Sequence, residues 1–475
     1  MTTTEKKITP VLLAGGAGSR LWPVSRDRLP KQFQPLVGTL STYQQTLKRV
    51  SDTNLYLDPL VITNEDFRFF AKRQAEEVGV HATVALEPAR RDSAAAMAIA
   101  AVVASRRMRD GLVLALAADH VILDDDLFTN AVKVGQKAAT EGHIVVFGLA
   151  PTEPRTSYGY IKPGSAIGDI SDLYVVDAFV EKPDVNTALE YLEKGFLWNS
   201  GNFLFRADVM INELATFAPD ILAAAHASVD KASSDLGFLR LDRESFEASP
   251  KDSIDYAVIE RSNRIAVVRG HFPWSDIGSW DAIWEVTTKD DGKNVIEGDG
   301  LALGSEGCLV HSNGILTTVV GAKDLVVVST KDAVLVVPKS HAQEVKGLVE
   351  RLKATGHNAV TELHKRTYRP WGQVEEMLTG DRFSVRRLFI DPGNRTSFQR
   401  HMNRAEHWVV VSGTATVTIG ERVQTITENE SVYVHPGASH CIANDGPIPL
   451  ELIEIRTGSY IEEDDVGRVL DRRRA

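Results

Sequence analysis

The chain has 475 residues, enough for two or three domains with their own cores, and its 43% hydrophobic and 25% charged residues describe a globular protein rather than a disordered one. Its 53 Lys and Arg against 64 Asp and Glu leave a formal charge of -11, which speaks against non-specific nucleic-acid binding. The two cysteines, Cys308 and Cys441, lack CxxC spacing, no apolar run is long enough to span a bilayer, and the polar start MTTTEKK has no signal-peptide core, so no membrane partner and a reducing cytoplasm are expected.

Apolar runs alternate with helical patterns as far as about Trp284. Ile8–Leu13, Leu60–Thr63, Ala82–Leu86, Leu112–Ala117, Ile144–Gly148 and Ile265–Val268 are expected as buried strands, with helices over Ser93–Arg109 and Asn130–Glu141. This is an α/β pattern. The first strand runs at once into Ala14, Gly15, Gly16, Ala17 and Gly18, then Ser19 and Arg20, with Lys31 further on. Glycines let backbone N–H groups approach an anion, a following helix N-terminus would add a favourable dipole, and Arg20 and Lys31 supply positive charge. Strand, glycine loop and helix in that order fit the first unit of a doubly wound domain. A tight turn uses the same glycines, and the loop lacks both the GKS or GKT ending of a P-loop and full GxGxxG spacing.

Asp119 and His120 follow the run Leu112–Ala117, at the edge where open α/β sheets bind ligands. Asp119 there is either a holder of Mg2+ on a nucleotide or an ordinary N-cap, and Asp276 in Asp276-Ile277-Gly278-Ser279-Trp280 adds weight to the metal reading. From about Asn294 to Leu335 short β-rich segments alternate with turns, and a helix is expected over Ala342–Thr355. After Arg366 the pattern is almost wholly β, as in a sandwich or barrel. Gln399 and His401, two apart on an expected strand, point to one face. With Glu406 and His440 they form a mixed N and O set that suits Zn2+ or another divalent metal such as Co2+ or Mn2+, although scattered polar residues also describe an ordinary surface.

Arg20 and the continuation Pro30-Lys31-Gln32-Phe33 resemble the sugar-1-phosphate nucleotidylyltransferases, and among them the mannose-1-phosphate guanylyltransferases. The resemblance is to the long form that also carries a type II mannose-6-phosphate isomerase domain, and it extends over nearly the whole chain. It implies an α/β nucleotidyltransferase (Rossmann-like, mixed sheet) over 1–290, a short β-helix-like linker with a helix over 291–360, and a cupin over 361–475. Nucleotide contacts are implied at Leu12, Ala14, Gly15, Gly16, Gly18, Ser19, Glu87, Pro88, Arg91 and Asp119; Asp92-Ser93 replaces the family's Asn-Thr, which loosens the expected purine preference. Sugar-phosphate contacts are implied at Gly159, Glu181, Lys182, Asn199 and Gly201.

The implied chemistry is in-line attack by mannose 1-phosphate on the α-phosphorus of GTP, releasing pyrophosphate. Arg20 and Lys31 would neutralise phosphate charge, and Asp119 and Asp276 would share Mg2+. His120 is expected to be structural rather than a base. In the cupin, the segment Gly393 to Gly413 and the turn Pro436-Gly437 leading to His440 match the two cupin motifs. A divalent metal there implies interconversion of mannose 6-phosphate and fructose 6-phosphate, with Arg404 recognising phosphate or enediolate and His407 a lesser candidate. The tail departs from the family: the acidic run Glu462 to Asp465 is kept, but the tyrosine and glycine that follow in relatives are replaced. Three readings stay open: a bifunctional enzyme, a guanylyltransferase with a structural or dimerising cupin, and a non-catalytic sugar-nucleotide sensor. A homodimer or other homo-oligomer is expected by analogy.

Overall fold

The computed structural model describes residues 6–16, 18–362, 366–461, 465 and 467–468. Two compact units result, Met1–Leu363 and His364–Ala475. Ala17 of the glycine loop and Glu462, Glu463 and Asp464 of the acidic run lie outside the described residues.

The first unit is built on an eleven-stranded sheet. Ile8–Ala14 lies at its centre between Leu60–Asn64 and Leu112–Ala117, parallel to both. Leu197–Arg206 then runs antiparallel to Leu112–Ala117 and Ile144–Leu149, so the sheet is mixed. These strands are buried on both faces, which is why they read as continuous apolar runs rather than alternating ones. The helix Asp92–Arg107 is nearly all alanine and small aliphatics along its buried length, and it shares one core with residues of the helices Ala207–Phe217 and Pro219–Asp230.

Three local expectations change. The glycine loop is followed by a single 3-10 turn, Ser19–Leu21, and the next α-helix starts only at Thr42, so no α-helix begins directly after the loop. The helix expected from Asn130 starts at Asp125, because Asp124 caps it through the Leu127 N–H at 2.9 Å. The strand expected to end at Leu86 continues to Glu87, which places that carboxyl at the sheet edge.

Further along, Val295–Glu297, Leu309–Ser312 and Leu325–Ser329 stack in parallel, as do Gly300–Leu303 and Thr317–Val320, giving the coils of a short β-helix. Gly298 turns the chain between two of these strands with φ +78, and a Cβ there would fall 2.0 Å from the Ser312 carbonyl oxygen. The β-helix residues Val295, Leu309 and Val326 share one buried cluster with Leu21, Trp22 and Trp280. The helix expected over Ala342–Thr355 is a 3-10 segment, Lys339–Glu344, followed by the α-helix Val345–Ala354.

The second unit is a cupin of two antiparallel sheets, with six and five strands. Arg404–Ser412 shows the alternation that makes the site: Arg404, Glu406, Trp408 and Val410 are buried, while His407 points the other way toward the Tyr433 ring. His407 therefore packs on the face opposite Arg404 and Glu406.

Candidate functional site

In the first unit the register sets Leu13 opposite Ala117, which brings the end of the first strand and the turn holding Asp119 side by side. A Cβ on Gly16 would lie 3.7 Å from Asp119 Oδ2. Lys31 is only 8% exposed, and its Nζ lies 3.1 Å from Asp119 Oδ2 while donating to the Asp276 carbonyl oxygen at 2.7 Å. One ammonium thus gathers the two aspartates that sequence spacing holds far apart. Gly18, with φ +63, covers the Lys31 stem so closely that a Cβ would sit 2.8 Å from Lys31 Cγ.

Burial works to raise the Asp119 carboxyl, but Lys31 and His120 outweigh it and hold the group below the ordinary carboxylate value. Asp119 sits in a turn, and the next helix has its own cap in Asp124, so the N-cap reading does not hold. His120 Nδ1 accepts from Trp274 Nε1 at 3.2 Å, and burial lowers its pKa despite the nearby Asp119. The imidazole packs edge-on against the Trp274 ring, with Nε2 3.8 Å from Asp119 Oδ1. Asp276 Oδ1 accepts from the Tyr158 hydroxyl at 2.7 Å and the Gly278 N–H at 3.2 Å, so that oxygen is already engaged.

A cleft of about 430 Å³ opens at this edge. Ala14, Gly15, Gly16, Glu87, Arg91, Asp119 and Gly201 line it, as expected of a contact set, together with Lys251 and Asp255. Leu12 is wholly buried inside its strand, and Leu13 faces the cleft instead. Pro88 contributes its carbonyl to Arg243 Nη1, and Arg91 reaches back to the Glu247 carbonyl at 2.7 Å. Ser19 opens the 3-10 turn and Arg20 stands exposed on it.

Burial pushes the Glu87 carboxyl up to about 8. The folded chain therefore holds this proton up to about 8, whereas the unfolded chain releases it near 4.5. The stabilising contribution is full below the unfolded value and is lost as pH rises through the folded one, at up to about 1.4 kcal/mol per pH unit. Glu87→Gln is expected to remove this slope. In denaturant titrations from about pH 5 to about pH 9, a range that brackets the folded value, the variant should gain on the natural chain as pH rises; parallel curves would refute the assignment.

Outside the cleft lining, Gly159 brings Glu181 and Asn199 together, since a Cβ there would lie 2.6 Å from Glu181 Oε2 and 3.2 Å from Asn199 Cβ. Lys182 pairs with Glu181 from a left-handed backbone, φ +51. Asn199 Nδ2 donates to Asp255 Oδ1 at 3.2 Å, and Asn199 Oδ1 accepts from the Gly201 N–H at 3.1 Å. Asp255 escaped the sequence reading. It opens a π-helical turn, Asp255–Ile259, and burial together with Glu181 pushes its carboxyl up to about 7. Gln32 also escaped it: buried completely, its Nε2 donates to the Ala14 and Gly16 carbonyls at 3.0 and 3.1 Å and so pins the glycine loop.

In the second unit His401, Glu406 and His440 are all buried, with ligand atoms within 4.8 Å of one another. His440 Nδ1 faces the Ala438 carbonyl at 2.9 Å and His401 Nδ1 faces the Asp465 carbonyl at 3.0 Å, so both Nδ1 atoms carry the proton; His440 Nε2 offers a lone pair, while that of His401 Nε2 accepts from Arg404 Nη2 at 3.2 Å. Those Nε2 atoms lie 3.3 Å and 3.4 Å from the Glu406 carboxylate. Glu406 Oε2 and His440 Nε2 are buried and make no hydrogen bond among the described residues, an arrangement that fits a divalent cation between them. Burial pushes the His401 pKa down to about 4, which keeps the ring neutral for such a role.

Gln399 pairs with His440 across the ladder, beside this set. The strand ends at Arg400, so His401 leaves the ladder, and the expected same-face alternation of Gln399 and His401 is not what brings them together. Arg404 is buried against the same carboxylate, with Nε 3.1 Å from Glu406 Oε1 and Nη1 donating to the Ile461 carbonyl at 3.3 Å.

Three family models match in chain order: Nucleotidyl transferase over residues 9–293, MannoseP isomerase/GMP-like beta-helix domain over 298–352, and Mannose-6-phosphate isomerase C-terminal over 356–471. A mannose-1-phosphate guanylyltransferase of Sinorhizobium fredii is 47% identical, covering 99% of this chain and 93% of its own length. One of Escherichia coli strain K12 is 45% identical, covering 98% and 99%. A crystal structure from Thermus thermophilus, described as a mannose-1-phosphate geranyltransferase, is 36% identical with a TM-score of 0.64, and it covers 73% of this chain and 99% of its own. With near-complete coverage at this identity, the chain belongs to the mannose-1-phosphate guanylyltransferase family.

Proposed function

We propose that the chain makes GDP-mannose and pyrophosphate from GTP and mannose 1-phosphate in its first unit, and interconverts mannose 6-phosphate and fructose 6-phosphate in its cupin. The observation that supports the first activity most is Lys31 held between the Asp276 carbonyl and Asp119, the latter of which lines a nucleotide-sized cleft.

Two anions must meet for nucleotidyl transfer, so positioning and charge neutralisation outweigh covalent chemistry. The glycine loop, pinned by Gln32, offers backbone N–H groups to phosphate, and Arg20 and Lys31 bring positive charge to the triphosphate. Glu87, Pro88 and Arg91 would meet the base and ribose, and Gly159, Glu181, Lys182, Asn199 and Gly201 the sugar phosphate. Asp255, itself in the cleft lining, accepts from the Asn199 amide. Asp119 and Asp276 suit Mg2+, which takes one or two protein carboxylates plus substrate phosphates and neutralises their charge.

In the cupin His401, Glu406, His440 and the neighbouring Gln399 form a mixed N and O set suited to Zn2+, Co2+ or Mn2+, whose Lewis acidity would polarise the sugar carbonyl. Arg404 holds Glu406 in place with its Nε and leaves a fixed positive charge beside the site for an anionic substrate. The substrate specificity of the first unit is tested by comparing GTP with ATP, and mannose 1-phosphate with glucose 1-phosphate, in pyrophosphate release. The GTP and mannose 1-phosphate pair is expected to have the highest kcat/KM; a higher value for another pair would overturn the assignment.

A further inference from the structure

The turn that carries His401 joins Gln399–Arg400 to Arg404–Ser412; His401 itself is buried, while Met402 beside it is 63% exposed. Its backbone is anchored on one side where the Gly437 N–H donates to the His401 carbonyl at 2.6 Å, and Arg404 Nη2 lies 3.2 Å from the ring's Nε2, which leaves Nδ1 to be fixed from elsewhere. The opposite side is held by one residue of the acidic run. Asp465 receives His401 Nδ1 on its backbone carbonyl at 3.0 Å. Its carboxylate accepts from the Asn403 N–H at 3.1 Å, Asn403 Nδ2 at 2.9 Å and the Met402 N–H at 3.4 Å. Three consecutive residues are thereby tied to a single aspartate, and Ile461, just upstream, ties down Arg404.

We propose that Asp465 is a positioning residue for the cation site: its carbonyl fixes the tautomer and plane of the His401 ring, and its carboxylate holds the turn that makes this contact possible. The inference rests on the reading of His401, Glu406 and His440 as a cation site. The physical reason is that a ligating imidazole needs its second nitrogen engaged to present the first as a lone pair in a fixed direction. It also gives the altered tail a meaning, because the contact is made by a member of the acidic run that this chain keeps, ahead of the positions where it departs from the family.

The test is Zn2+ affinity of the full chain by competition with a chromogenic chelator, with the visible absorption of bound Co2+ as a report on coordination and near-ultraviolet circular dichroism as a check on the fold. Asp465→Ala is expected to weaken Zn2+ binding by about tenfold to a hundredfold and to change the Co2+ spectrum. Asp465→Asn, which keeps one side-chain oxygen, should fall between that variant and the natural chain. A folded Asp465→Ala protein with unchanged affinity and spectrum would overturn the proposal. Should that variant fail to fold, Asn403→Ala, which removes only the Nδ2 bond, decides: weaker binding supports the proposal and unchanged binding overturns it. A natural chain that binds neither ion would instead overturn the cation site itself, and Asp465's role with it.

Discussion

Lys31→Ala is expected to lower kcat for pyrophosphate release by about a hundredfold to a thousandfold, the usual cost of removing one preorganised charge donor from a phosphoryl or acyl transition state. Lys31 is fixed before substrate arrives, because its Nζ already spans Asp119 and the Asp276 carbonyl, and Gly18 closes over its stem. A fixed ammonium needs no reorganisation as charge develops, so its loss should appear in kcat more than in folding. The Asp119 side chain is 26% exposed, so water can solvate the carboxylate left behind. Lys31→Arg should recover only part of the rate, since a planar guanidinium does not reproduce a point charge with two contacts. Steady-state kinetics with both substrates decide the matter: a folded Lys31→Ala protein within about threefold of the natural kcat would remove Lys31 from the mechanism.

The second large effect is expected in the cupin. Glu406→Gln takes away the carboxylate that faces His401, His440, Arg404 and Arg456, all of them buried. Removing one partner of a buried ionic cluster leaves charge without compensation, at a cost of about 3–5 kcal/mol. Glu406→Gln should therefore lose both cation binding and stability, measurable by metal content and by denaturant midpoint. His401→Ala separates the two effects, because it deletes a ligand but leaves the Glu406 carboxylate paired with Arg404. Isomerisation of mannose 6-phosphate should fall to background in His401→Ala with a much smaller shift of the midpoint. Undiminished isomerisation in that variant would exclude His401 as a ligand needed for turnover.

Much of this was legible in the sequence, and what was not shares a physical cause. Strands buried on both faces announce themselves by continuous apolar runs, so Ile8–Ala14 and Leu112–Ala117 appeared within a residue or so of their bounds. The Asp119 turn followed from strand polarity alone. The cupin residues stood out because their spacing matches the two motifs of the resembled family, Gly393 to Gly413 and Pro436-Gly437 to His440. What stayed hidden depends on contacts between segments far apart in the chain. Gln32 looks like any polar residue of a loop until the Ala14 and Gly16 carbonyls are seen above it. Asp255 sits in an otherwise helical-looking stretch, and only the approach of Asn199 and Glu181 makes its carboxyl unusual. The helix expected after the glycine loop failed for a local reason: Pro23 and Pro30 interrupt the segment, and the chain takes a 3-10 turn before them. His401 reached its partners through a turn held by Asp465 rather than through strand alternation.

The most direct test of the account is to incubate the purified full-length chain with GTP, mannose 1-phosphate and Mg2+ and to quantify GDP-mannose and pyrophosphate together. The account predicts equal amounts of both products, formation that stops when Mg2+ is chelated, and a rate that collapses in Lys31→Ala. Saturable GTP binding with no pyrophosphate released would contradict it and leave a sugar-nucleotide sensor built on the same fold.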